Sequence, residues 1–64
     1  MILTKKKWLE EKINLVQGGV WWNELVLDIQ KKAGDTADKI DSTVAIIEKD
    51  KTTLDILKEE YKKL

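Results

Sequence analysis

Cysteine, histidine, arginine, proline and phenylalanine are all absent from this chain of 64 residues. Without cysteine it can form no disulfide, thiolate metal site or cysteine nucleophile. Without histidine it lacks the usual general base and the commonest metal ligand, so Ser42, the only serine, cannot belong to a Ser/His/Asp triad. The composition therefore predicts a non-enzymatic protein with no catalytic residue, cofactor, metal ion or small-molecule substrate.

The charge balance argues against nucleic acid as a partner. Twelve lysines oppose 12 acidic residues, which gives a formal net charge of zero. Nucleic-acid binders normally have a basic surplus and use the arginine guanidinium group on phosphates and bases. A small nucleic-acid-binding regulator of helix-turn-helix type is therefore only an alternative. The bias to lysine, isoleucine, leucine and glutamate is typical of AT-rich microbial or phage genomes.

Long apolar runs are also missing. The longest, Val44 to Ile47, has four residues, whereas a membrane-spanning helix needs roughly 20. Lys5, Lys6 and Lys7 resemble the start of a signal peptide, but charged residues follow where its apolar region would lie. The expected location is cytoplasmic. A second alternative is a membrane-surface amphipathic peptide, because the N-terminal stretch combines lysines with tryptophan.

The apolar residues recur every three or four positions, which predicts an all-α chain forming one domain over residues 1–64. A first helical segment runs from about Leu3 to Gln17, with Thr4 as its N-terminal cap. Gly18 and Gly19 are expected to bend or break the helix, since each costs about 1 kcal/mol in a helix interior. A second segment continues from Val20 to Ala33.

The stretch KKAGDTADKID predicts a helix stop followed at once by a helix start. Gly34 suits the left-handed position that ends a helix, and Asp35 suits the N-cap of the next. A third segment then runs from Thr36 to Leu64. The two arms, Leu3–Ala33 and Asp35–Leu64, each have about 30 residues, so we expect them to fold against each other as a helical hairpin.

A long parallel coiled coil from Trp22 to Leu64 is the alternative fold, because an unbroken heptad pattern also crosses Gly34. The coiled coil places Thr36, Thr43 and Asp50 between its helices. The hairpin instead buries Val44 and leaves Asp50 in water. The hairpin is preferred because it uses the glycine as a turn.

The adjacent tryptophans point about 100° apart on a helix. Trp22 aligns with Val26, Ile29 and Ala33, the stripe expected to face the other arm, whereas Trp21 aligns with Leu25 on a flank. One indole is thus predicted to serve the hairpin and the other a second chain. In the alternative, both indoles fold back over a bend at Gly18–Gly19.

Ile46 and Ile56 also lie off the expected stripe of the third segment, so the two arms present more apolar surface than they can hide from each other. We therefore predict function through protein–protein interaction. The partner is a second copy of the chain, in a dimer that packs as a helical bundle, or a larger protein on which the chain docks as an adaptor or inhibitor. The predicted interaction residues are Trp21, Trp22, Leu25, Val26, Ile29, Ile46 and Ile56.

Overall fold

A computed structural model describes residues 4–64, which form two α-helices joined by a short turn. Helix α1 spans Lys5–Ala33 and helix α2 spans Ala37–Lys62. The two helices pack against each other and run antiparallel, so the predicted all-α helical hairpin is confirmed. The alternative long coiled coil is wrong because the helix ends at Gly34. The start of the predicted first segment, Leu3, lies outside the described residues.

The first turn of α1 is capped as the sequence predicts. Thr4 has extended backbone angles, and its Oγ1 accepts a hydrogen bond from the Lys7 N–H at 3.1 Å. No acidic residue lies in this turn, which begins with three lysines. Because lysines oppose the helix dipole at an N-terminus, the threonine cap is the main local feature that fixes the start of α1.

Helix α1 continues without interruption through Gly18 and Gly19, so the predicted break there is wrong. A bend within the continuous helix stays a prediction. Val16 and Val20, on either side of the glycines, both pack toward α2, and this packing outweighs the poor helix propensity of the pair. The side-chain amide of Asn23 also donates to the Gly19 carbonyl at 2.9 Å.

The turn between the helices is built on Gly34, as predicted. Gly34 has φ 71° and ψ 35°, the left-handed conformation, and the Asp35 N–H donates to the Gln30 carbonyl at 3.0 Å. The N-cap of α2, however, is Thr36 and not Asp35, because Thr36 Oγ1 accepts from the Lys39 N–H at 3.4 Å. The Asp35 carboxylate instead accepts from the Thr36 N–H at 2.8 Å and stabilises the turn.

The two helices meet along a seam in which contact positions alternate at spacings of three and four residues. All of these side chains are buried or half-buried. They are Leu9, Ile13, Val16, Val20, Asn23, Leu27 and Gln30 on α1, with Ile40, Thr43, Ile47, Asp50, Leu54, Leu57 and Tyr61 on α2. Both helices thus keep a strict heptad register in an antiparallel arrangement.

The seam corrects the predicted stripe in the second half of α1. Trp22 and Ile29 were expected to face α2, but 63% and 54% of their surfaces are exposed, and Ala33 is exposed as well. The reason is the unbroken helix. Because α1 carries the register of Val16 and Val20 across the glycines, the next contact positions fall one residue later than predicted, on Asn23 and Gln30.

The seam on α2 is also more polar than the predicted hairpin. Thr43 is buried and Asp50 half-buried, although Asp50 was expected to face water. Val44 is half-buried on the flank. The folded chain therefore has the turn of the predicted hairpin, and on α2 it uses the contact positions Thr43 and Asp50 that were predicted for the coiled coil.

Candidate interaction surface

Polar pairs fix how the two helices are aligned along the seam. The buried Thr43 hydroxyl donates to Gln30 Oε1 at 2.7 Å. Near the middle of the seam, Asp50 Oδ2 lies 4.0 Å from where a side chain on Gly19 would begin. At the far end, the Tyr61 hydroxyl donates to Glu10 Oε1 at 2.8 Å. Together these contacts define the alignment, in which residues of α1 and α2 that lie at the same level have numbers that add up to about 71.

Tyr61 is the one titratable group with a clear shift in the described chain. The hydrogen bond to Glu10 raises the pKa of the phenol above its usual value of 10.0, with smaller contributions from desolvation and from the glutamate charge. The Lys6 ammonium also lies 5.7 Å from the centre of the ring. The phenol is therefore held protonated as a hydrogen-bond donor that ties the C-terminal end of α2 to α1.

The hairpin has two faces of different chemistry. One, which we call the charged face, carries acids and lysines from both helices, and Glu24 and Lys51 approach across it to 3.9 Å. This exposed pair contributes little stability by itself. The heptad places the following charged residues on this face: Lys7, Glu10, Glu24, Asp28 and Lys31 of α1, and Asp41, Glu48, Lys51, Asp55 and Lys58 of α2.

The opposite side is an apolar face. On α1 its core is a row of four large side chains at intervals of seven residues, each about 130° around the helix from the seam. These are Trp8, Leu15, Trp22 and Ile29, which are 43%, 68%, 63% and 54% exposed. Val26 lies half-buried at the border with the seam. On α2, the heptad puts Ile46 and Ile56 on the same face, with 48% and 59% of their surfaces exposed.

Few charges interrupt the centre of the apolar face. Between the levels of Leu15 and Ile29, Lys49 is the one charged residue that the described chain places on the apolar face. The nearby Gly19 and Thr53 are uncharged. Nearer the N-terminus of α1, the Lys12 ammonium lies 5.6 Å from the centre of the Trp8 ring. In this cation–π contact the Lys12 ammonium lies over the Trp8 ring, so the lysine does not interrupt the apolar row.

The predicted interaction residues divide between the surfaces of the hairpin. Trp22, Val26, Ile29, Ile46 and Ile56 belong to the apolar face. Trp21 is 65% exposed but lies on the charged face, and Leu25, 51% exposed, points away from α2 at the outer edge. Trp8 and Leu15 were not among the interaction residues predicted from the sequence. Leu15 precedes Trp22 by seven residues and Trp8 precedes Leu15 by seven, and this repeat is the signal that could have identified them.

Residues 4–64 contain no pocket and no group of three or more potential metal-ligating side chains. Neither α1 nor α2 has an apolar stretch long enough to cross a bilayer.

In comparisons with known proteins, no family model, curated protein or solved structure matches this chain.

Proposed function

We propose that this chain functions without catalysis, as a helical module that acts through protein–protein contact at its apolar face. One observation carries the proposal: six large apolar side chains of the described residues stand exposed on one side of a hairpin whose other side is charged. The seam between α1 and α2 is already filled by other residues. The exposed row is therefore additional to what the fold requires.

The size of the apolar face supports this function. Each of the six side chains has a total surface of about 200 Å² and exposes roughly half of it, which gives about 600–700 Å² of apolar surface. The largest apolar patch on a typical monomer covers about 300–600 Å² and is often functional. Tryptophan is moreover enriched at the energetic centres of protein interfaces, and Trp22 lies near the middle of the face.

Photo-crosslinking in the cells that produce the protein tests the proposal. Benzoylphenylalanine placed at Trp22 reports contacts at the apolar face, and the same group placed at Glu48 reports contacts at the charged face. We expect protein adducts, either with a second copy or with another protein, from position 22 and not from position 48.

The adducts must also depend on the apolar surface. Adding Ile29→Glu to the position-22 variant is expected to remove most of them. Adducts at neither position, or equally at both, would contradict the proposed function.

A further inference from the structure

The surface that the chain leaves uncovered has the size of one half of a dimer interface. The chain has 5075 Å² of accessible surface and a mass of 7.4 kDa. A compact monomer of that mass has about 4200 Å². The excess of about 900 Å² is close to the roughly 800 Å² that each partner buries in a standard protein–protein interface.

The shape of the hairpin leads to the same conclusion. Its principal extents are 48 × 21 × 12 Å, so it is one helix layer thick. Its radius of gyration is 14.9 Å, against about 11 Å for a compact domain of this length. A single layer has no interior apart from its seam, and a second layer on the apolar face would supply one.

We propose that the second layer is another copy of this chain, and that two hairpins pack with their apolar faces together as a four-helix bundle. This inference rests on the proposed function and names its partner. The available face is close in area to what one half of a dimer must bury, so a second copy is sufficient to cover it. The net charge of zero means that two copies do not repel each other as whole molecules.

If a two-fold axis lies in the plane of the interface, each copy packs its apolar face against the apolar face of the other. When it runs along the helices, α1 of one copy lies over α2 of the other, with Val26 at the level of Ile46 and Leu15 at the level of Ile56. Lys12 and Glu60 then also meet at one level near the end of the bundle. The single central lysine, Lys49, lies beside Trp22 and can extend its ammonium to the rim while its methylenes cover the indole.

Sedimentation equilibrium of the full chain tests the proposal, with Trp22→Glu and the matched control Trp21→Glu. The two variants add the same charge and remove the same side chain from neighbouring positions on opposite faces. We expect the wild type and Trp21→Glu to form dimers, and the dissociation constant of Trp22→Glu to rise at least tenfold. Circular dichroism records whether each variant keeps its helices.

A second measurement needs no disruptive substitution, in case Trp22→Glu fails to fold. Two single-tryptophan proteins keep either Trp22 or Trp21, with phenylalanine at the other two tryptophan positions. Acrylamide quenching is measured as the protein concentration is raised through the dissociation constant. Trp22 is expected to become protected, whereas Trp21 stays accessible at every concentration.

A wild-type chain that stays monomeric at millimolar concentration would overturn the second copy as occupant, as would protection of Trp21 instead of Trp22. If such a monomer still forms adducts with another protein from position 22, the proposed function stands and only the partner is wrong. If Trp22 is shielded only when anionic vesicles of phosphatidylglycerol are added, the face binds a lipid surface and both proposals fail.

Discussion

At the scale of the residue, three glycines serve different purposes. Gly34 has a positive φ of 71° and ends α1, whereas Gly18 and Gly19 lie inside the helix. A side chain on Gly18 would meet no atom within 4 Å, and one on Gly19 would meet only the Asp50 carboxylate. Local sequence signals identified Gly34 because a left-handed turn depends on the glycine itself. They failed at Gly18 and Gly19, where packing on both sides decides.

The substitution Gly34→Ala is expected to lower the free energy of unfolding by about 1 kcal/mol or more. An alanine at this position must adopt a left-handed conformation that glycine adopts without strain. Urea unfolding followed by circular dichroism, at one fixed protein concentration, measures the change. An increase in stability would show that the chain does not turn at residue 34.

The substitution Gly18→Ala is expected to have the opposite sign. It adds a methyl group in open space on the outside of α1 and removes the low helix propensity of glycine, so the free energy of unfolding should rise by up to about 1 kcal/mol. The same urea titration measures it. A loss of stability would mean that the backbone at Gly18 departs from a regular helix.

The Tyr61–Glu10 hydrogen bond predicts a pH dependence. Because the pKa of Tyr61 is raised in the folded chain, the unfolded chain loses this proton first, near pH 10. The stability from this bond is fully present below about pH 10 and is lost as pH rises through the higher folded-state pKa. Unfolding free energies measured between about pH 8 and pH 11 should fall less steeply in Tyr61→Phe than in the wild type. Equal slopes would contradict the contact.

At the scale of the element, the two helices could be predicted, and the exact face by which they meet could not. Thr4, Gly34 and the apolar periodicity are local features, and they placed the helix ends nearly correctly. The seam in the second half of α1 depends on the register inherited from Val16 and Val20. The predicted break at Gly18–Gly19 does not occur. Because it was assumed, the predicted contact positions were shifted by one residue and included Trp22.

The polar residues of the seam have a physical role that composition does not reveal. Four contact positions of the seam hold polar residues, although aliphatic residues would pack more tightly there. They are Asn23, Gln30, Thr43 and Asp50. The hydrogen bond between Thr43 and Gln30 is satisfied in one alignment of the helices, so we infer that it selects the hairpin register. Asp50 lies opposite the small Gly19, which leaves room for its carboxylate.

Replacing Asp50 by leucine is expected to stabilise the hairpin by about 1 kcal/mol, because a half-buried seam position then holds an apolar side chain instead of a carboxylate. Asp55→Leu is the matched control, since Asp55 is exposed on the charged face and should give no comparable gain. Urea titrations of both variants under the same conditions make the comparison. Equal effects of the two substitutions would place residue 50 outside the seam.

At the scale of the whole molecule, the hairpin is a single helix layer with apolar side chains on one side and charges on the other. This asymmetry follows from the heptad: the same seven-residue period that fills the seam repeats Trp8, Leu15, Trp22 and Ile29 on the apolar face. The surplus of apolar residues could be recognised from the sequence, but Trp22 was expected in the seam, and 63% of its surface is exposed. The structure puts Trp22 on the apolar face and Trp21 among charged residues.

A hairpin that is stabilised by a second copy must unfold at a temperature that depends on protein concentration. One seam in a chain of this length supplies little stability by itself, so most of the stability of the folded state should come from the second layer. We expect the midpoint of thermal unfolding, followed by circular dichroism, to rise by several degrees when the concentration is raised a hundredfold. For Trp22→Ala the midpoint should be lower and nearly independent of concentration, whereas Trp21→Ala should follow the wild type. Identical, concentration-independent midpoints for all three proteins would show that the apolar face adds nothing to stability, and that the seam alone holds the hairpin together.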